Sequence, residues 1–328
     1  MALSVWSRRV LLTIAGVLAA AIAQAAADKP TEPRAFQFTY AATVVDLKPE
    51  QRARIWLPVP PKNDDQDVEI VSKDLPSEGR IDREPRYGNR ILYFEAKADR
   101  KGCIPLSVVY RVKRREVSRD TAAKSDEDAE ELSRLLRANR RVPISGKPLE
   151  LLKDAKVPDG EMEAARLFYD VVNRHMRYSK EGTGWGEGDS TWACENGRGN
   201  CTDFHSLFIS LARARHIPAK FEIGFSLPTK RGFGTINGYH CWAKFRLSSG
   251  DWVPVDISEA NKEPRLRDYY FGKLSTNRIA FSTGRDLPLV PRQTGPPLNF
   301  FVYPYVEVDG KEYPQAKIHR RMSFRDEE

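Results

Sequence analysis

Cysteine is scarce in this chain, with 4 among 328 residues. That is too few for a disulfide-built scaffold, so the fold must rest on its own core and each cysteine needs a separate explanation. Long apolar runs are nearly absent too. The one strongly apolar stretch, residues 10–23, falls short of the ~20 residues a membrane-spanning helix needs, which excludes an integral membrane protein with several spans. Repeats and low-complexity tracts are missing, which excludes solenoids and fibrous architectures. No nucleic-acid motif accompanies the basic clusters at residues 113–115 and 137–141, so nucleic acid is not an expected partner. The glycine-rich segment 182–189 lacks the Lys-Ser/Thr that would make it a phosphate loop. Glu187 and Asp189 are too few for a calcium cage, and no required ion or cofactor is expected.

What remains is the composition of an ordinary packed protein, 41% hydrophobic and 30% charged, long enough for about two domains. The apolar stretch follows Arg8 and Arg9 and precedes alanine-rich cleavage sites such as Ala25-Ala26-Ala27. It reads as a secretory signal over residues 1–27, with export to a bacterial periplasm as the expected destination. The alternative is an uncleaved anchor. Removing the segment takes away the two charges of Arg8 and Arg9 and lowers the formal charge from +8 to +6. Such a balance favours solubility and anionic envelope surfaces.

Residues 35–118 alternate in the period of half-buried strands. Phe36, Phe38 and Tyr40 form one such set, Ala53, Ile55 and Leu57 a second, and Ile104 through Val112 a third. Several short strands between turn signals predict a β-sandwich-like domain. Residues 119–157 carry acidic residues first and arginines last, which suits an exposed linking helix. A second domain is expected over 158–310, followed by a charged, frayed tail at 311–328. Pro158-Asp159-Gly160 opens a helical pattern, a second begins at Cys201, and strands follow around Phe221–Phe225, Tyr239–Leu247 and Trp252–Ile257. The aromatic-rich residues 269–308 are expected to complete the sheet.

Chemistry concentrates in Cys201, His240 and Asp256. A thiol at a helix N-terminus meets unpaired N–H groups and the positive dipole end, which favours thiolate. Its own N–H is placed for a developing oxyanion. Strand periodicity puts His240 beside Trp242, with Cys241 on the opposite face, and sets Asp256 on the next strand in line to orient the imidazole. Other readings stay open. His205, four residues along the helix, is an alternative base. Cys194, Cys201, His205, His240 and Cys241 suggest zinc only without a usual ligand spacing. Cys194 with Cys241 is a candidate disulfide, and Trp185, Trp192 or Tyr178 could supply a second oxyanion donor.

Three ordered segments carry a resemblance. Gly199-Asn200-Cys201-Thr202-Asp203 with Ala212 through Ala219, then Gly238-Tyr239-His240-Cys241-Trp242, then Gly250 through Asp256, resemble the nucleophile, histidine and aspartate segments of the transglutaminase-like superfamily. The likeness covers about residues 160–260. It implies an α+β, papain-like core with Cys201, His240 and Asp256 as a catalytic triad. It also implies acyl transfer or amide hydrolysis on a peptide or protein through a Cys201 thioester. The family also includes inactive members, so a non-catalytic envelope scaffold is the alternative.

Overall fold

The computed structural model describes residues 31–119 and 127–327. The signal segment 1–27 and part of the linker, residues 120–126, lie outside them. The chain opens with strands β1 (Arg34–Val44), β2 (Arg52–Val59), β3 (Gln66–Asp74), β4 (Arg80–Arg83), β5 (Arg90–Lys97), β6 (Ile104–Arg114) and β7 (Val117–Ser118). Next come helices α1 (Ala129–Leu136) and α2 (Glu161–His175), strand β8 (Arg177–Tyr178), helix α3 (Ser190–Asn196), strand β9 (Arg198–Gly199) and helix α4 (Cys201–Ala214). Strands β10 (Ala219–Ser226), β11 (Phe233–Ile236), β12 (His240–Arg246) and β13 (Trp252–Val255) lead to helix α5 (Ile257–Lys262). Five strands close the chain: β14 (Lys273–Leu274), β15 (Arg278–Thr283), β16 (Tyr305–Val308), β17 (Lys311–Glu312) and β18 (Ile318–Asp326).

Three larger antiparallel sheets result, ordered β11-β18-β1-β6-β3, β17-β16-β2-β5-β4 and β13-β12-β10-β15. The α+β class and the antiparallel sheet packed on a helix are as expected. The inward residues of β1 and β2, among them Phe36, Phe38, Ile55 and Leu57, share one hydrophobic cluster with α2, α4 and β10. Phe38 lies 5.2 Å from Phe225 and 5.5 Å from Phe281, so the first sheet packs its aromatic face directly on the third.

The third sheet is covered on both sides. Helix α4, buried along almost its whole length, packs Phe208 against Phe245. On the other face the N-terminal region supplies Asp65 to Lys244 and clamps the main chain of Ala280 with both amide atoms of Gln66. Burial on two faces explains why β12 and β13 read as near-continuous buried runs rather than alternating ones.

Several expectations give way. Residues 311–328 are not a frayed tail: β18 pairs with β1 from Phe36↔Asp326 to Val44↔Ile318. Residues 269–308 contribute β15 to the third sheet but β16 to the second, against β2. The expected division at residues 118 and 158 therefore falls within a continuous packing arrangement, because β11, β16, β17 and β18 complete both N-terminal sheets. The linking helix is confined to α1. Helix α3 occupies part of the expected loop 181–200, capped by the Asp189 carboxylate, which accepts the N–H groups of Thr191 and Trp192. Among the described residues, no helix is long and apolar enough to cross a membrane.

Candidate active site

Cys201 is the first residue of α4, as its position after Asn200 predicts. Asn200 Oδ1 accepts the Thr202 N–H at 2.9 Å, and its carbonyl accepts from Asp203 and Phe204. The N–H of Cys201 stays outside this capping set, at the positive end of the helix. Asp203 returns the cap: its Oδ2 accepts the Asn200 N–H at 2.8 Å. The same carboxylate accepts N–H groups from Gly186 at 2.7 Å and Gly188 at 2.9 Å, which ties the glycine-rich loop to the nucleophile's turn. Burial pushes the Asp203 carboxyl up to about 6, against the pull of those three N–H groups. Gly199 has φ +152°, and a Cβ there would stand 2.4 Å from Asp203 Oδ2, so this turn has room only for glycine.

His240 opens β12. Its Nε2–H donates to Asp256 Oδ2 at 2.7 Å, which leaves Nδ1 as the ring nitrogen available to Cys201. Asp256 follows β13 and caps α5 through its Oδ1, which accepts the Glu259 N–H and the Ser258 hydroxyl, each at 3.1 Å. Arg278 of β15 donates to Oδ2 at 3.1 Å, with its guanidinium carbon 4.9 Å from the Trp242 ring. Burial alone would raise the Asp256 carboxyl, but His240 and Arg278 hold it well below the carboxylate range.

The thiol and the imidazole move in opposite directions. Burial raises the Cys201 thiol, yet hydrogen bonds from Cys241 and His240 and the charge of His240 outweigh it and set the thiol well below its ordinary value. Burial lowers His240, but the Asp256 charge and hydrogen bond, together with Cys201, bring it up to about 10. The arrangement favours thiolate beside imidazolium.

His205 plays a different part. Its Nδ1–H donates to the Cys201 carbonyl at 2.7 Å, and its Nε2 accepts the Ile257 N–H at 3.0 Å. Both ring nitrogens of a neutral imidazole are thus used, and burial lowers its pKa further. It braces α4 against α5 and has no nitrogen left to act as a base.

Cys241 lies on the face of β12 opposite His240 and Trp242, as the strand period predicts. That face packs on α4, where the Cys241 thiol sits 3.6 Å from His205 Nδ1. Cys194 lies elsewhere, its sulfur 3.4 Å from the Lys147 carbonyl. Both are free cysteines, and the Cys194–Cys241 disulfide does not form. Of the candidate oxyanion donors, Trp185 already donates its indole N–H to the Gly182 carbonyl. Tyr178 stacks under Lys262 at 3.9 Å and senses the Cys201 charge.

Sequence reasoning missed Asp203, Arg278 and Arg285. The first had a signal in the Asn-x-x-Asp spacing of a helix cap. The arginines had none, because their partners are distant in sequence. Buried Arg285 donates to Ser206 Oγ, to the carbonyls of Glu187 and Gly188, and to Asn299, and so holds the glycine-rich loop against residues 299–300.

Comparisons with known proteins agree with this geometry. The chain is 27% identical over 329 residues to an uncharacterized Haemophilus influenzae protein, covering 85% of this chain and 87% of that one. The crystal structure of a candidate cysteine protease from Cytophaga hutchinsonii superposes with a TM-score of 0.59 at 14% identity, over 91% of this chain and 99% of that one. It shares the fold. The periplasmic domain of TgpA from Pseudomonas aeruginosa matches less well, with a TM-score of 0.40 at 13% identity over 73% of this chain and 91% of that one. Residues 151–257 match the model of the transglutaminase-like superfamily and contain all three of Cys201, His240 and Asp256. The chain carries a transglutaminase-like domain.

Proposed function

We propose that this protein is a cysteine-dependent hydrolase or acyltransferase acting on amide bonds of a peptide or protein in the cell envelope, with Cys201, His240 and Asp256 as its triad. The observation that carries the reading is a buried cysteine at the first position of a helix together with an imidazole whose Nε2 lies 2.7 Å from Asp256. The fold shared with a candidate cysteine protease supports cysteine chemistry in general. The expected export rests on residues 1–27 alone.

In this mechanism the Cys201 thiolate attacks the amide carbonyl carbon. A C–S bond forms as the carbonyl π pair moves to oxygen, where the Cys201 N–H at the helix start receives the charge. Collapse restores the carbonyl and expels the amine, which takes the proton of His240 Nδ1. Water or a second amine then attacks the thioester, giving up a proton to His240 and releasing the thiol as thiolate. Asp256 keeps the imidazole oriented and compensates its charge throughout. Hydrolysis is the favoured outcome, since water is always present.

The test combines two measurements. Incubating the mature protein with casein, a labelled amine and a peptide library, then weighing the products, separates chain cleavage, deamidation and cross-linking. Iodoacetamide at limiting dose should modify Cys201 well before Cys103, Cys194 and Cys241. Equal labelling of all four in the folded protein, with no product of any kind, would turn the reading toward a scaffold.

A further inference from the structure

Two cavities are lined by the residues that lead into His240, Tyr239 in one and Gly238 in the other. The first, about 350 Å³, is lined by Trp185, Gly186, Tyr239, Phe300 and Tyr303. Tyr239 links it to the site, since the residue precedes His240 and its hydroxyl accepts the Asn200 amide N–H at 2.9 Å. The second, about 550 Å³, is lined by Asn237, Gly238, His319 and Arg321. Tyr303, Gln315 and Arg320 are walls of both, so the two cavities adjoin. Their shared wall is aromatic on one side: the Tyr239 ring is 5.7 Å from Phe300 and 5.9 Å from Tyr303. Arg320 covers Tyr303, with its guanidinium carbon 4.0 Å from the ring centre.

We infer that these cavities form one substrate groove for an extended peptide that carries a large apolar side chain followed by an acidic one. The inference rests on Cys201 as the acyl acceptor and names the substrate class. Two independent observations support it. The first is charge. His319, Arg320 and Arg321 are consecutive and all exposed, which breaks the in-out alternation of β18. Among the described residues, none of the three lies within ion-pair distance of a carboxylate, and Arg320 has only a 3.4 Å contact with Gln315 Oε1. The Glu187 carboxylate beside the first cavity is engaged by Arg141. Glu312, exposed, is the remaining acid on the lining. The basic end therefore offers charge that the protein itself does not neutralise.

The second observation is main chain. The ladder between β11 and β18 stops at Ile236↔Met322. The stretch from Ile318 to Arg321 keeps β1 on one side but has no strand on the other, and it is this stretch that lines the second cavity. A free strand edge accepts an extended peptide by adding it to the sheet, with side chains alternating into pockets. The aromatic wall takes the apolar side chain, and the arginines take the acidic one further from the scissile amide.

The inference is tested by equilibrium binding to the Cys201→Ser protein, so that no turnover is required. The probes are fluorescent hexapeptides, blocked at both ends, with a glutamine as acyl donor and a phenylalanine beyond it. A glutamate is walked from two to four positions past the donor, and each peptide has a glutamine-for-glutamate counterpart. At one position the glutamate peptide should bind about fivefold more tightly, the scale of a well-placed but exposed ion pair. Arg320→Gln and Arg321→Gln, both at exposed positions, should erase that preference singly or together, read as the ratio of the paired affinities within each variant. Equal binding of the two peptide series overturns the proposal. So does a preference that survives the double variant, no binding at all, or preference for a free C-terminal carboxylate in an unblocked glutamine peptide. Selective binding without any turnover by the unaltered protein would keep the groove and remove the acyl-transfer reading.

Discussion

The first and third sheets meet along one aromatic seam yet obey different rules. In β1 every second residue is buried and the rest are half-exposed, so the strand can be read directly from its sequence. In β12 six successive residues are buried, three of them ionisable, namely His240, Cys241 and Lys244. A sheet covered on one face hides mainly apolar groups, here with Arg34, Gln66 and Arg114 as exceptions, and leaves most polar ones to water. A sheet covered on both must pair its polar residues internally. Lys244 is held by Asp65 and Glu222, Trp242 donates to Glu222 at 2.6 Å, and Asp256 is held by His240 and Arg278. Double coverage by itself disfavours a thiolate–imidazolium pair, and the internal pairing it demands, above all Asp256 on His240, is what offsets burial.

The largest effects should come from breaking that pair. Between Cys201's lowered pKa and His240's value near 10, the thiolate persists, so alkylation of Cys201 should continue into mildly acidic solution. His240→Ala removes both the hydrogen bond and the charge and leaves burial dominant. Alkylation at pH 6 should then fall at least about a hundredfold as the thiol returns toward or above an ordinary value. A flat response in both proteins would remove the ion pair. Asp256→Asn should be nearly as severe. Its Oδ2 faces donors from both His240 and Arg278, and its Oδ1 accepts the Glu259 N–H, so an amide must aim its own N–H groups at a donor. A loss of roughly a thousandfold in turnover is expected, measured by release of a peptide product.

The buried lysine of the third sheet comes next. Lys244→Met leaves Asp65 with only the more distant Arg114, at 3.8 Å, and Glu222 with Trp242. Orphaning buried charge in this way should cost about 3 kcal/mol, read from urea unfolding at pH 7. Asp65 carries a pH signature as well. Burial raises its carboxyl, but Lys244 and Arg114 bring it down to about 2. A depressed carboxylate contributes stability that is complete above its unfolded value near 3.8 and is lost as pH falls toward 2. In Lys244→Met the folded carboxyl moves back toward or above its unfolded value, so that loss should shrink and the acid limb flatten. Identical acid limbs in the two proteins would show that the pair is not coupled to folding.

Asp203 tests the junction between helix and loop. Asp203→Ala strips the acceptor from the N–H groups of Gly186, Gly188 and Asn200. A loss of about 2 kcal/mol is expected, with earlier hydrogen exchange in the 182–188 loop. Exchange unchanged there would mean that Arg285 alone fixes the loop.

What was legible in the sequence follows the same contrast. The alternating strands β1, β2 and β6, the helix starting at Cys201, and the pairing of His240 with Asp256 across β12 and β13 all came from local spacing. The partners that close the sheets did not. Nothing near residue 320 announces that β18 will pair with β1 almost 300 residues away, nor does Arg278 signal a bond to Asp256. Charge mattered in a similar way: the 311–328 segment looked like a solvated tail because its exposed side chains are basic, while Ile318, Met322 and Phe324 are buried.

The smallest effect should come from the exposed face of the first sheet, where the rule of pairing is relaxed. Arg111 of β6 reaches Glu69 at 3.3 Å and Glu327 at 3.1 Å, with about half of its side chain in solvent (49%). Two partners suggest a strong site, and the hydrogen bonds and charges of Glu327 and Glu69 raise the guanidinium's pKa. Solvent decides otherwise. Water and salt screen both carboxylates once the arginine is gone, and neither is left stranded as Asp65 would be. Arg111→Gln should therefore barely shift the urea midpoint, and added salt should reduce the shift further. Arg111 and Lys244 are both cations with two carboxylate partners on a sheet, so burial is the variable that separates them. If Arg111→Gln were to destabilise as much as Lys244→Met, the difference between the singly and doubly covered sheets would lose its energetic basis.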